Sequence, residues 1–256
     1  MIGQKRVLAV IPARYSSTRY PGKPLVEIAG KSMVQRVFEQ VGKATTVDKV
    51  VVATDDERIV EHVRSFGGNV VLTSSEHPSG TDRCFEALQK QADLFEVVVN
   101  VQGDEPFIQP EQVDRITLCF ENEQVEIATL VMALDNPEEH FESGMVFVTI
   151  DRQMNAMYFS RAVIPVLNNP DDIHPDDRPA YHEHVGIYGY RSDILSQITG
   201  LGPSRLERME CLEQLRWLEN GFKIRTTIST HASHYIDTPE DLENVLKLID
   251  QGVIKA

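Results

Sequence analysis

The chain has 256 residues, 41% of them hydrophobic and 25% charged, enough for one large domain or one and a half around a sizeable buried core. Its 39 acidic and 25 basic residues leave a formal net charge of −14, a field that repels polyphosphate backbones and argues against nucleic-acid binding and a basic membrane-docking face. Three isolated cysteines, Cys84, Cys119 and Cys211, show no CxxC spacing, which argues against structural zinc and a disulfide framework and fits free thiols in a reducing compartment. No apolar run is long enough for a signal peptide or a membrane span, so the expectation is a cytoplasmic protein with no membrane attachment.

In chain order, residues 7–11 read as a buried strand, and 32–42 carry Met33, Val34, Val37, Phe38 and Val41 at helical spacing. A strand is predicted over 49–54, a helix over 57–66, a third strand over 69–73 and a helix over 81–91. Residues 95–102 form a fourth strand, with the continuous apolar character of a sheet covered on both faces. Pro110 opens the next helix, where its missing N–H costs least, and 127–134 is a fifth strand. This alternation predicts an α/β fold, a three-layer open and mostly parallel sheet with right-handed crossovers.

The second half is less regular. Strands are predicted over 145–150, 156–160, 184–190 and 222–229. Residues 168–181, rich in Pro, Asp and Asn, read as a long mobile loop. A helix is predicted over 206–219, with Leu206, Met209, Leu212, Leu215 and Leu218 as its apolar stripe. Thr238-Pro239-Glu240-Asp241 reads as a helix start, with an N-cap, proline at the first turn and acids facing the dipole.

Ligands of open α/β sheets sit outside the carboxyl ends of the strands. Two segments there carry chemistry. The loop from Pro12 to Leu25 follows the first strand and holds the cations Arg14, Arg19 and Lys23 with three hydroxyl residues and three prolines. Its free N–H groups and cations suit an anion pocket, although it is neither a P-loop nor a GxGxxG turn; the plain alternative is a solvated surface loop. The second segment is Gln102-Gly103-Asp104-Glu105-Pro106, where an apolar strand ends in a glycine turn and two carboxylates. An Asp there is placed to bind magnesium, or simply to hydrogen-bond its own turn.

Taken with Ser79-Gly80-Thr81-Asp82-Arg83, Tyr158-Phe159-Ser160-Arg161, His184-Val185-Gly186-Ile187-Tyr188, Leu212-Glu213-Gln214-Leu215-Arg216 and Ile236-Asp237-Thr238-Pro239-Glu240-Asp241, these segments resemble the 3-deoxy-manno-octulosonate (KDO) cytidylyltransferases. The matches run in order from about Val7 to Ile249. The resemblance implies a Rossmann-like nucleotidyltransferase in one domain spanning 1–256. Its nucleotide-binding part would be about 1–135, a smaller sugar-binding and dimerisation part about 136–235, and a C-terminal helix about 238–250. It implies CMP transfer from CTP to an acidic eight-carbon sugar, giving CMP-KDO and pyrophosphate for lipopolysaccharide biosynthesis, by a homodimer.

Carried residue by residue, the resemblance makes Arg14, Lys23 and Asp104 catalytic. It places Ala13, Arg14, Ser17, Lys23, Ser79, Gly80, Arg83 and Gln102 around the nucleotide. Gln102, Arg161, His184, Tyr188, Glu213 and Gln214 would hold the sugar. Asp104 and Asp237 would hold Mg2+, although only the fold can bring them together. Arg161 suits the sugar carboxylate because a guanidinium binds carboxylates as a fork. His184 and Tyr188, four apart on one strand, face the same side, the alternative for His184 being a structural core role. Glu213 and Gln214 stand off the apolar stripe of their helix.

Two positions depart from the family pattern. Phe147 stands where that pattern has Lys, and Glu183 where Arg is common. Both leave the sugar half less positive, which opens the alternatives of a variant acceptor, an amino-KDO or a sialic-type acid. A non-catalytic nucleotide-binding homologue is the remaining alternative, and retention of Arg14, Lys23, Asp104 and Asp237 argues against it. Phe147 itself either lines the sugar pocket or packs into the core.

Overall fold

The alternating apolar strands and amphipathic helices assemble into three layers. The computed structural model describes residues 2, 5–16, 19–134, 145–168, 174, 181–232 and 234–254. The strands are β1 (Val7–Ala13), β2 (Glu27–Ile28), β3 (Lys31–Ser32), β4 (Lys49–Thr54), β5 (Val70–Leu72), β6 (Val97–Asn100), β7 (Ile127–Leu134), β8 (Phe147–Ile150), β9 (Ala156–Ser160), β10 (Tyr181–Arg191) and β11 (Ile224–Ile228). The helices are α1 (Met33–Val41), α2 (Glu57–Ser65), α3 (Gly80–Gln89), α4 (Pro110–Leu118), α5 (Ser192–Ile198), α6 (Arg205–Glu210), α7 (Gln214–Glu219) and α8 (Pro239–Asp250).

The central order is β11-β7-β10-β6-β1-β4-β5. Every strand in that row runs in one direction except β10, which is antiparallel to β6 and β7 on its two sides. The β8–β9 hairpin attaches to β10 through the pairing of Glu183 with Phe147. Residue alternation along β1 separates the two outer layers. Val7, Ala9 and Ile11 pack with Val34 and Val37 of α1, Ile59 of α2 and Val113 of α4. Leu8 and Val10 pack on the other face with Cys84 of α3, Leu195 of α5 and Leu215 and Trp217 of α7. This is the three-layer, mostly parallel architecture predicted from the element order.

A third cluster joins the chain's end to the ligand edge of the sheet. Phe107, after β6, packs with Ile28, Met33, Ile236 and Val245, so α8 lies against the turn that follows β6. Thr238 caps α8, as the sequence pattern predicts, and Asp241 returns the bond in a capping box.

One predicted helix is two. The stretch over 206–219 breaks at Cys211, which ends α6 in the left-handed conformation (φ 55°). The turn carries Met209 out to solvent, while Leu206, Leu212, Leu215 and Leu218 pack against the core. The helix α5 was not anticipated, because its seven residues hold too little periodicity to stand out. The loop predicted over 168–181 lies almost wholly outside the described residues.

Phe147 is fully buried at the start of β8, opposite Ser160 of β9. The core reading holds, and the suggestion that it lines the sugar pocket does not. Replacing it with lysine would place an ammonium in apolar surroundings. Phe147→Lys is expected to cost at least about 3 kcal/mol of stability, read as a lower denaturation midpoint; a midpoint near that of the parent protein would return Phe147 to an open pocket.

Candidate functional site

The Pro12–Leu25 loop is held by its own contacts. Gly22, at φ 76°, donates its N–H to the Tyr15 carbonyl at 2.8 Å and packs against the Tyr15 ring, where a Cβ would come within 3.2 Å. The Arg58 guanidinium stacks over the same ring, 3.3 Å from its centre. Gly22 leads into a single 3-10 turn over Lys23–Leu25, and this turn aims the Lys23 side chain at the end of β6.

There Lys23 meets both predicted carboxylates. Its Nζ lies 2.8 Å from Asp104 Oδ2 and 2.8 Å from Asp237 Oδ1, partners 81 and 214 positions away along the chain. Arg19 Nη1 adds a contact to Asp237 Oδ2 at 3.0 Å. The pairing is fixed by the backbone: the Ile236 N–H donates to the Asp104 carbonyl at 3.0 Å, and Ile236 is buried beside Phe107. Gly103 permits the approach of the two loops, since a Cβ there would fall 2.6 Å from the Pro12 carbonyl oxygen. Burial pulls the Lys23 ammonium down, but the charges and hydrogen bonds of Asp104 and Asp237 outweigh it and hold the pKa above its ordinary value.

The neighbouring carboxylates Asp104 and Glu105 have different environments. Burial pushes Glu105 up to about 8, with the Asp104 charge adding to it, so Glu105 is mostly neutral at pH 7 and the anionic charge at this strand end rests on Asp104. Among the described residues no group of three His, Cys, Asp or Glu side chains converges as a cation cage. Asp104, after β6, and Asp237, before α8, nonetheless fit magnesium, which keeps several waters and takes substrate phosphates as its other ligands.

The remaining nucleotide-side residues gather around the start of α3. Ser79 is its N-cap, accepting from the Asp82 N–H, and Gly80 begins the helix beside Pro12, whose Cγ a Cβ at Gly80 would meet at 3.5 Å. Arg14 Nη2 donates to the Ser79 carbonyl at 3.4 Å and to the His77 carbonyl at 2.5 Å. Ala13 is buried at the end of β1. Arg83 is fully buried, with Nη1 on Thr73 Oγ1 at 2.6 Å and 3.3 Å from Asp55 Oδ1. Asp55, just past β4, was not singled out from the sequence; its position after a strand was the available signal. Ser17 lies outside the described residues.

The sugar-side residues fall into two groups. Gln102 Nε2 donates to the Gly186 carbonyl at 2.9 Å, tying the end of β6 to β10. His184 and Tyr188 face the same side, with ring centres 5.2 Å apart, as their spacing predicts. Tyr188 also meets Trp217 edge-on, and His184 meets Phe159. Glu213 and Gln214 do not stand on an open helix face: Glu213 is the N-cap position of α7, Gln214 its first residue, and Gln214 is buried. Glu213 instead accepts from Thr81 Oγ1 at 2.9 Å, which links α7 to the nucleotide side. Arg161 is turned to the end of α6, donating to the Glu210 carbonyl at 2.9 Å and the Cys211 carbonyl at 3.3 Å. A cavity of about 630 Å³ elsewhere, lined by Arg36, Gln40, Phe107 and His231, contains none of the predicted site residues.

Burial lowers His184 to about 3, and its Nε2 lies 3.0 Å from Thr129 Oγ1. An unfolded histidine protonates near pH 6.5. Between about 6.5 and about 3 the unfolded chain therefore binds the extra proton, and stability falls as pH is lowered through that window. His184→Gln is expected to flatten that part of the stability–pH curve, measured by denaturant titration at a series of pH values. An unchanged slope would mean that the ring is solvated enough to titrate normally.

A family model for cytidylyltransferases matches residues 8–224. A 3-deoxy-manno-octulosonate cytidylyltransferase of Bacteroides thetaiotaomicron is 50% identical over 242 residues, covering 93% of this chain and 96% of that protein. The protein of the same name from Cytophaga hutchinsonii is 51% identical over 242 residues, again covering 93% and 96%. The structure of a CMP:2-keto-3-deoxy-manno-octonic acid synthetase complexed with CTP superimposes with a TM-score of 0.88 at 39% identity, covering 96% of this chain and 99% of that one. A cytidylyltransferase from Leptospira borgpetersenii, 18% identical with a TM-score of 0.64 over 97% of this chain and 88% of that one, shares the fold. The chain belongs to the 3-deoxy-manno-octulosonate cytidylyltransferase family and is a nucleotidyltransferase enzyme.

Proposed function

We propose that this chain transfers CMP from CTP to the anomeric hydroxyl of KDO, supplying activated sugar for lipopolysaccharide biosynthesis, with magnesium held by Asp104 and Asp237. The observation that carries the reading is the meeting of Lys23, from the cationic loop after β1, with Asp104 and Asp237 at one point. In the reaction the hydroxyl oxygen forms a bond to the α-phosphorus. The bond from that phosphorus to the bridging oxygen of the β-phosphate breaks, pyrophosphate leaves, and the hydroxyl proton passes to solvent.

Positioning and charge neutralisation supply most of such a rate. When bound, magnesium neutralises phosphate charge and orients the leaving group. Arg14 and Lys23 draw the triphosphate to the end of β1. Ser79 and Gly80 would form the wall at the start of α3, with Arg83 buried behind them against Thr73 and Asp55. Gln102, His184, Tyr188 and Glu213 line the side toward β10 and α7, where the acidic sugar would sit, and Arg161 is the nearby guanidinium for its carboxylate. Burial of Phe147 favours KDO over a variant acceptor, because that departure removes no charge from a pocket wall.

No helix among the described residues is long and apolar enough to cross a membrane; the cytoplasmic placement we propose rests on the free cysteines Cys84, Cys119 and Cys211, which fit a reducing compartment. Met157 of β9, Val166 and Met209 of α6 expose large apolar side chains in the second half, and this supports a homodimer formed there. Sedimentation should give twice the chain mass, falling to the monomer for Met157→Glu combined with Met209→Glu; a monomeric parent protein removes the dimer.

The central test is pyrophosphate release with CTP, magnesium and a panel of acidic sugars. Turnover is expected with KDO. Asp104→Asn and Asp237→Asn should each lower kcat by about a hundredfold or more with the fold intact by circular dichroism. Near-normal turnover of either variant would remove that carboxylate from the metal site, and turnover only with another sugar would replace the acceptor.

A further inference from the structure

From the contacts of Lys23 we infer that its ammonium is a built-in stand-in for the divalent cation, filling the gap between Asp104 and Asp237 in the nucleotide-free enzyme, so that metal is admitted only together with the triphosphate. The inference rests on the reading that these two aspartates hold magnesium, and it adds an order of events which that reading does not contain.

The geometry is that of an occupied cation position. Two carboxylates far apart along the chain face one nitrogen at equal distances of 2.8 Å. The Lys23 side chain is 13% exposed and the two aspartates 28% and 24%, so the ammonium is the most enclosed member of the three. Magnesium takes oxygen ligands at about 2.0–2.1 Å and surrenders its waters reluctantly. A divalent ion cannot share that point with an ammonium, and Arg19 beside Asp237 adds a second positive charge against its entry. A free metal ion must therefore displace Lys23 unaided.

The triphosphate changes the balance. Its oxygens offer the ammonium new anionic partners on the side of Arg14 and the loop, and they offer the metal its remaining ligands. Lys23 then moves from carboxylate to phosphate as the metal moves in. The chain exchanges one internal cation for an external one without leaving either carboxylate uncompensated. Binding of metal and nucleotide is thus coupled through one side chain, and the coupling is reciprocal.

The test is metal affinity in the absence of turnover. Mn2+ binding to the sugar-free, nucleotide-free protein is measured by its electron paramagnetic resonance signal in the wild type, Lys23→Met and Lys23→Met/Asp104→Asn. The apolar Met is expected to tighten Mn2+ binding at least about tenfold, because a like charge has left the site, and the second substitution should abolish the gain. Equal affinity in wild type and Lys23→Met overturns the inference, as does a gain that survives Asp104→Asn. The unmodified enzyme supplies an independent measurement: the Lys23 ammonium nitrogen resonance should move with Mg2+ and CTP together and stay in place with Mg2+ alone. A shift with Mg2+ alone also overturns it. If Lys23→Met shows no gain while Asp104→Asn loses turnover, the stand-in fails and the metal reading stands; normal turnover of Asp104→Asn removes the metal reading itself.

Discussion

The hydrogen bond from the Ile236 N–H to the Asp104 carbonyl is the contact on which the site depends. It joins the turn after a central strand to the segment entering the last helix, and so closes a loop of more than a hundred residues. Closing a loop of that length costs only a little more than closing a shorter one, since the cost grows logarithmically with length. The packing of Phe107, Ile236 and Val245 offsets that cost, which makes a small apolar cluster the support of a charged site. Loosening the cluster would separate Asp104 from Asp237 without touching either.

The same junction explains how an acidic chain handles a polyanion. Net charge sets the long-range field, but a bound nucleotide meets only the local arrangement. Three cations, Arg14, Arg19 and Lys23, come from one short loop at the end of β1. Lys23 and Arg19 pair there with the two aspartates, while Arg14 donates to the His77 and Ser79 carbonyls. Glu105 contributes little negative charge there, because burial keeps it mostly protonated at pH 7. Environment has divided two adjacent carboxyl groups into one charged ligand candidate and one neutral, buried side chain.

The layers of the first half were legible because short continuous apolar runs alternate there with period-3.6 helices, and the boundaries of β4 and β7 coincide with those runs. The reversed strand β10 was visible as a strand but not in its place, since direction and neighbours are set by tertiary pairing. The break at Cys211 was hidden because leucines continue at helical spacing on both sides of it, and a left-handed cysteine has no reliable sequence signal. At the site, the cationic loop and Asp104 followed from their position after strands. The partnership of Asp104 with Asp237 came from family resemblance alone, as no periodicity relates residues so far apart. Glu213 was named for the sugar from that resemblance, yet its bond to Thr81 across the sheet edge was beyond any local pattern.

That bond also bears on how the two halves act as one enzyme. Thr81 lies in the first turn of α3, beside the candidate nucleotide wall, and Glu213 begins α7, which carries Trp217 against Tyr188 and Tyr190 of β10. Burial raises the Glu213 carboxyl above its ordinary value, countered by the hydroxyls of Ser79 and Thr81 and by the Arg216 charge. A largely buried carboxyl held by the Thr81 hydroxyl of α3 tolerates little displacement, since losing that bond would leave it poorly satisfied. Its place is therefore tied to α3, and the aromatic stack of α7 on β10 is tied to its place. A sugar seated between Gln102 and Glu213, as proposed, would therefore meet a wall that is tied through Thr81 to the nucleotide side.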